Sequence, residues 1–141
     1  MTRVKKLKLE LDEVTEFPIL GISTGLGDHR FAWLLNKHMN LRFHKSFECF
    51  AIPNKNKEIK SYEYYIHENE EDQSKYLLVK NKQNASVLFS QSEKLDFFLI
   101  MREDYINDPE DLIMKLRKIN GVIAVFPFSS SDFEFSEYLN D

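Results

Sequence analysis

The stretch from 94 to 128, KLDFFLIMREDYINDPEDLIMKLRKINGVIAVFPF, constrains the fold more than any other part of the chain. Residues 95–101 form an almost unbroken apolar run between charged residues. A run this short predicts a strand that is covered on both faces. Residues 122–126 predict another strand, which Pro127 closes because proline has no N–H to donate to a sheet.

A helix is predicted between these two strands. The Asp108 carboxylate can cap the free N–H groups of the first turn, and Pro109 suits the first helical position. Apolar residues recur at the spacing of one helical face through Ile119. Asn120 and Gly121 predict the end of the helix, because glycine tolerates a left-handed backbone there.

The composition is that of one folded domain, residues 1–141, with 43% hydrophobic and 30% charged residues. A net charge of −4 argues against nucleic acid or an anionic membrane as partner. The single cysteine, Cys49, excludes an internal disulfide framework. There is no apolar run long enough to span a bilayer and no signal-peptide pattern, so a cytoplasmic location is expected.

Near the N-terminus, apolar and polar side chains alternate over residues 4–11, which predicts a strand with one face exposed to solvent. Residues 17–22 predict a second strand. A glycine-rich loop, GISTGLGD, leads from there to a helix over Asp28–Met39, with Asp28 as its cap and Asn40 at its end. A plain turn is favoured over a phosphate-binding loop, because neither GxGxxG nor GK[ST] is present.

Trp33 lies off the apolar stripe of this helix. Core packing is favoured for it over contact with a sheet edge or a dimer partner.

From Leu41 the pattern predicts a meander of hairpins. Cys49 falls on the apolar side of the first strand and is predicted to be a small buried side chain. In the next strand Tyr62 and Tyr64 share one face, with Tyr65 opposite. The polar, acidic tail 129–141 is predicted to be either frayed or a short docked segment.

The order of these elements predicts an α+β fold. We expect a ferredoxin-like (ACT-like) βαβ…βαβ antiparallel sheet with an inserted β-meander and two helices on one face. The other face must then be solvated, covered by the extra strands or used for dimerisation.

Residues 89–97 resemble the signature of the bacterial IPExxxVDY family of small uncharacterised proteins. Asp96 is identical to the signature, and the other signature positions hold Phe89, Ser90, Gln91, Leu95 and Phe97. GIS followed by DHRFAWLLNK, the aromatic and acidic meander, LDFFLI and the final helix extend the similarity over most of the chain. The resemblance implies no known activity.

The sequence contains no catalytic or metal-binding motif. The four histidines lack metal-ligand spacing, so no metal and no cofactor is predicted. Asp96 stands out because it is a carboxylate near the start of an apolar strand. Such a group must be paired with a cation, hydrogen-bonded or exposed to solvent at the end of the strand. We favour a structural role, bonding a turn or pairing with Arg30 or Arg102, over a ligand contact.

Three functions fit these observations. The favoured one is a non-enzymatic interaction module that forms a homodimer or binds a partner protein. The second is a small-molecule-binding regulatory domain similar to ACT domains. The third is an enzyme that uses Asp96 with a histidine such as His29. The candidate ligand or interaction residues are Asp96, Arg30, Trp33, Tyr62 and Tyr64.

Overall fold

The computed structural model describes residues 16–53, 56–83, 86–88, 94–103 and 108–133. The predicted strand at 4–11, the signature residues 89–91 and the tail beyond 133 lie outside these ranges. None of the helices in the described ranges is long and apolar enough to cross a membrane. The elements, in chain order, are β1 Pro18–Thr24, α1 Asp28–Met39, β2 His44–Pro53, β3 Ile59–Asn69, β4 Ser74–Lys80, β5 Lys82–Gln83, β6 Ser86–Val87, β7 Phe97–Glu103, α2 Pro109–Arg117 and β8 Val122–Ser129, followed by a 3₁₀ turn at Ser130–Asp132.

Six strands form one antiparallel sheet in the order β8-β1-β7-β4-β3-β2, and β5 and β6 pair separately. The prediction of an α+β fold with an antiparallel sheet and two helices is therefore confirmed. Most of the apolar run at 95–101 lies in the inner strand β7, which is between β1 and β4. Its side chains alternate between two buried clusters, as predicted for a strand covered on both faces.

Both helices pack on the same face of the sheet. Phe31 and Leu35 of α1 and Leu112 and Leu116 of α2 share one buried cluster with side chains of β1, β3, β4, β7 and β8. The helices keep these residues on one side because they recur at helical spacing.

The opposite face of the sheet is also buried. Tyr62, Tyr64 and Phe98 belong to a second cluster, in which each is at most 7% exposed. Phe133, just after the 3₁₀ turn, is 3% exposed and packs against the ring of Phe98 at 5.2 Å. The start of the tail is therefore docked, and this face is not an open aromatic surface.

The helix ends were predicted with mixed success. Helix α1 has the predicted bounds, and Asn40 adopts the left-handed conformation at its end. However, Gly27 rather than Asp28 occupies the N-cap position, without a side-chain bond. In α2, Asp108 caps as predicted by accepting from the Glu110 N–H, but the helix ends at Arg117, before Asn120.

Two strand predictions were wrong for reasons of sheet position. Pro127 does not close β8, which runs on to Ser129. Proline is tolerated there because β8 is an outer strand, where a ladder N–H is not required. Cys49 is exposed rather than buried, since an irregularity between Lys45 and Cys49 shifts the pairing of β2 with β3.

Candidate functional site

Asp96, just before β7, forms a hydrogen bond with the end of β1. Its Oδ2 accepts the Thr24 N–H at 2.9 Å, and its Oδ1 lies 3.9 Å from Lys82 Nζ. Asp96 thus bonds to the backbone at the end of β1, and its ion pair is with Lys82 and not with Arg30 or Arg102. The Arg102 guanidinium instead stacks 4.6 Å above the ring of Phe17.

Thr24 extends this network to the end of α2. Its hydroxyl donates to the Gly121 carbonyl at 2.6 Å and accepts the Leu26 N–H at 3.1 Å. Gly121 has a φ of 109°, a conformation that favours glycine. Asp96 and Thr24 therefore hold together two turns that are far apart in sequence, which is a structural role.

A second polar cluster lies where α1 begins. The Tyr65 hydroxyl donates to Asp28 Oδ2 at 3.2 Å and lies 2.9 Å from His29 Nδ1. The His29 and Tyr65 rings meet edge to face at 5.9 Å.

Burial, nearby charges and hydrogen bonds shift two pKa values of this cluster in opposite directions. Burial raises the pKa of Tyr65 to about 12, together with the Asp28 charge, the Asp28 hydrogen bond and Glu63. Burial also works to raise the pKa of Asp28, but Lys80, His29 and the bond from Tyr65 outweigh it, and the pKa falls below its usual value. Asp28 is therefore ionised and Tyr65 neutral at physiological pH.

This cluster can hold and orient a proton among the Tyr65 hydroxyl, Asp28 and His29. Asp96 contacts Thr24 and Lys82, whereas His29 contacts Tyr65, so the two members of the predicted acid–base pair have different partners. In the described ranges, no group of three or more His, Cys, Asp or Glu side chains could hold a metal.

Comparison with known proteins leaves the function to be inferred from the side chains. No protein-family model matches the chain. No curated protein matches it either.

The remaining candidates from the sequence do not form one site. Trp33 is 55% exposed on α1, where Lys37 lies 5.1 Å from its ring, so core packing is excluded for it. Arg30 is also exposed on α1. Tyr62 and Tyr64 are buried in the second cluster, and Tyr64 stacks on Phe50 at 4.3 Å.

Two features escaped the sequence analysis. One is the Asp28–His29–Tyr65 cluster, whose members come from α1 and from β3. The other is a cavity of about 470 Å³ between the start of β1, the end of β8 and the first turn of α2. Neither has a sequence motif, because sites assembled from distant segments have no fixed residue spacing. Only the adjacent DH pair at the start of α1 was visible as a local signal.

We predict that Tyr65 makes the protein sensitive to alkali. The folded pKa of about 12 exceeds the unfolded value of about 10, so its stabilising contribution is complete below pH ~10 and is lost as the pH rises through 12. By pH ~12 this loss should reach about 2 kcal/mol. Urea unfolding of the native chain and of Tyr65→Phe at pH 8 and at rising alkaline pH measures it. The variant should lose correspondingly less stability, and equal losses in both proteins would refute the prediction.

Proposed function

We propose that this chain is a non-enzymatic interaction module that forms a homodimer, with β2 of one copy pairing antiparallel to β2 of the other. The observation that carries this proposal is the contrast between β2 and β8, the two outer strands of the sheet. The face of the sheet opposite the helices is buried in the second cluster, so the dimer is not proposed to form through that face.

Three features block the outer edge of β8 against another strand. The pairing with β1 is irregular between Val122 and Ala124, so the strand bends there. The Arg117 side chain donates to the Val125 carbonyl at 3.1 Å and occupies an acceptor of the strand. Pro127 offers no N–H. Bulges, prolines and charged side chains are devices by which proteins prevent edge-to-edge pairing.

The outer edge of β2 lacks such features over Cys49–Ile52. These residues pair one for one with β3 as far as Pro53, beyond the irregularity at Lys45. Their inward side chains are buried, with Phe50 at 7% and Ile52 at 6% exposure, so the strand is firmly attached to the sheet. A regular outer strand of this kind offers N–H and C=O groups to an added strand.

From Phe47 to Ala51 the side chains that β2 exposes are apolar apart from Glu48, and the exposed polar residues His44 and Lys45 lie at its start. Phe47 is fully exposed at 105%, and Cys49 and Ala51 are exposed beside it. Cys49 and Ala51 are small, so they leave room on this face of the sheet for the side chains of an added strand. Phe47 supplies apolar area that would leave water on pairing.

A second copy of the chain suits this edge because an antiparallel strand pair can be symmetric about a two-fold axis. The same residues then face each other from both copies, as in most homodimers. The added strand would also continue the antiparallel pattern of the sheet.

Sedimentation velocity over a range of protein concentrations tests the proposal. We expect a concentration-dependent dimer whose dissociation constant rises about tenfold or more in Phe47→Glu and in Ala51→Glu, equivalent to about 1.4 kcal/mol. The matched control is Phe126→Glu, which puts the same charge at an exposed position, 48% accessible, on the blocked strand β8. Native protein that remains monomeric at high concentration, or a dimer that only Phe126→Glu dissociates, would refute pairing through β2.

The finer features of the fold belong to the same proposal. The sequence of β1, α1, β4, β7, α2 and β8, with the order β8-β1-β7-β4, supports a ferredoxin-like core. The hairpin of β2 and β3 is then the insertion between α1 and β4. The resemblance to the IPExxxVDY family and the cytoplasmic location remain predictions.

The second candidate function, a small-molecule-binding regulatory domain similar to ACT domains, is favoured by one observation. The cavity beside α2 has a volume of about 470 Å³. Sites for small ligands typically measure roughly 300 to 1,000 Å³. Binding there would not require the dimer.

A further inference from the structure

Helix α1 exposes a tryptophan between two basic residues. Trp33 is 55% exposed, and Arg30 and Lys37 are exposed on either side of it in the sequence. At about 3.6 residues per turn, these three residues lie on the side of the helix away from Phe31 and Leu35, which are buried in the core. Arg30, Trp33 and Lys37 thus form a continuous exposed surface, here called the α1 stripe.

The two cations of the α1 stripe are not neutralised by carboxylates. Elsewhere on the surface a lysine pairs with an acid, as Lys45 does with Glu63 at 3.2 Å. Within the part of the chain that the structure describes, neither Arg30 nor Lys37 forms an ion pair. Asp28, the only acidic residue of α1, accepts a hydrogen bond from a tyrosine of β3 instead. The α1 stripe therefore has two positive charges and no negative one.

The aromatic ring of the α1 stripe is in contact with one of its cations. Lys37 Nζ lies 5.1 Å from the centroid of the Trp33 ring. An ammonium group has three N–H donors, so this contact leaves Lys37 able to donate to a carboxylate. Tryptophan and arginine are also the residue types that most often dominate the binding energy of protein interfaces. The α1 stripe therefore has the composition of a protein-binding surface.

We propose that the α1 stripe binds an acidic segment of a partner protein. Two carboxylates of that segment bind Arg30 and Lys37 through charge-assisted hydrogen bonds, and an apolar residue between them covers Trp33. Arg30 and Lys37 are seven residues apart, which is about 10 Å along the helix at a rise of about 1.5 Å per residue. The carboxylates of the partner should have the same separation, as two glutamates seven residues apart have on a helix.

The charge of the whole chain favours this partner over a nucleic acid. A nucleic acid has a phosphate at every nucleotide, and a chain with a net charge of −4 would repel the phosphates that extend beyond the two cations. An acidic segment can instead match the two cations with two carboxylates. The α1 stripe lies on a helix that covers one face of the sheet, so binding there does not require the proposed dimer at the β2 edge.

Fluorescence titration with a peptide tests the proposal. Trp33 is the only tryptophan in the chain, so its emission reports directly on the α1 stripe. The probe is a helical peptide with two glutamates seven residues apart and leucine between them, and glutamine replaces both glutamates in the control peptide. We expect the glutamate peptide to shift the emission to shorter wavelength and to bind about tenfold or more tightly than the control, equivalent to about 1.4 kcal/mol. Added salt should weaken this binding, because exposed charges are screened.

Three variants assign the binding to the α1 stripe. Arg30→Gln/Lys37→Gln should raise the dissociation constant of the glutamate peptide about tenfold or more. The matched control, Lys57→Gln/Lys60→Gln, removes the same charge from the hairpin of β2 and β3 and should retain full affinity. Trp33→Ala, measured by calorimetry because it has no tryptophan, should also weaken binding about tenfold or more.

No binding of the glutamate peptide, equal binding of the two peptides, or equal losses in the two double variants would each overturn the proposal. Tighter binding of a thymidine oligonucleotide than of the glutamate peptide would also overturn it, in favour of a nucleic acid. The titration is repeated with Ala51→Glu, the variant expected to be monomeric, which should bind the glutamate peptide unchanged. Loss of binding in that variant would overturn the assignment to α1 alone, whereas a failure of the β2 dimer by itself would leave peptide binding intact.

Discussion

Replacing Phe98 with alanine is expected to destabilise the protein by about 3–5 kcal/mol, the usual cost of removing a fully buried phenylalanine ring. Phe98 is 0% exposed on the inner strand β7 and packs edge to face with Phe133 at 5.2 Å. Because the strands on both sides are fixed by the sheet, the surrounding structure can collapse only partly into the space left by the ring.

The measurement is chemical denaturation of Phe98→Ala and of Phe126→Ala at equal concentration. Phe126 is 48% exposed on the outer strand β8, so the same chemical change should cost far less there. Since domains of this kind are stable by roughly 5 to 15 kcal/mol, Phe98→Ala should remove a large share of the total. Similar losses in both variants would contradict the burial of Phe98.

Replacing Gly21 with valine should cost about 3 kcal/mol, with alanine intermediate, because the added carbons overfill a packed region. A Cβ at Gly21 would lie 2.7 Å from Leu95 Cδ1 and 2.9 Å from Phe128 Cε2. Leu95 is only 1% exposed and has little room to move away. The glycine in the middle of β1 is therefore required for the second face of the sheet to pack.

Gly25 provides the matched control. A Cβ there would meet nothing within 4 Å. Alanine and valine at Gly25 should change the free energy of unfolding by no more than about 0.5 kcal/mol. If Gly21→Val and Gly25→Val prove equally stable, the close contact with Leu95 cannot be the reason for the glycine.

Local signals in the sequence predicted the helices well. Helix α1 has the predicted bounds because its apolar stripe and the Asn40 end signal are both local. The start of α2 was equally clear from Asp108 and Pro109. Such signals act between neighbouring residues, so they can be interpreted without knowing the rest of the fold.

Predictions that depend on position in the sheet were less successful. The pattern of β2 pointed to a buried Cys49, but the irregularity near Lys45 turned it to the solvent. Pro127 predicted the end of a strand, but β8 continues through it because an outer strand does not need every N–H. Both outcomes depend on which strand lies alongside, and that partner comes from a distant part of the chain.

The sequence by itself determined the class of the fold, the two amphipathic helices, an inner strand in the apolar run at 95–101 and the need for Asp96 to be bonded. Only the tertiary structure decided which face each strand buries, which strands lie outermost among the described residues and where the cavity lies. The physical reason is the distance along the chain between the residues that interact. Capping and helical periodicity involve residues a few positions apart, whereas the cavity joins residues near 16, 110 and 128, which meet only once the sheet has formed.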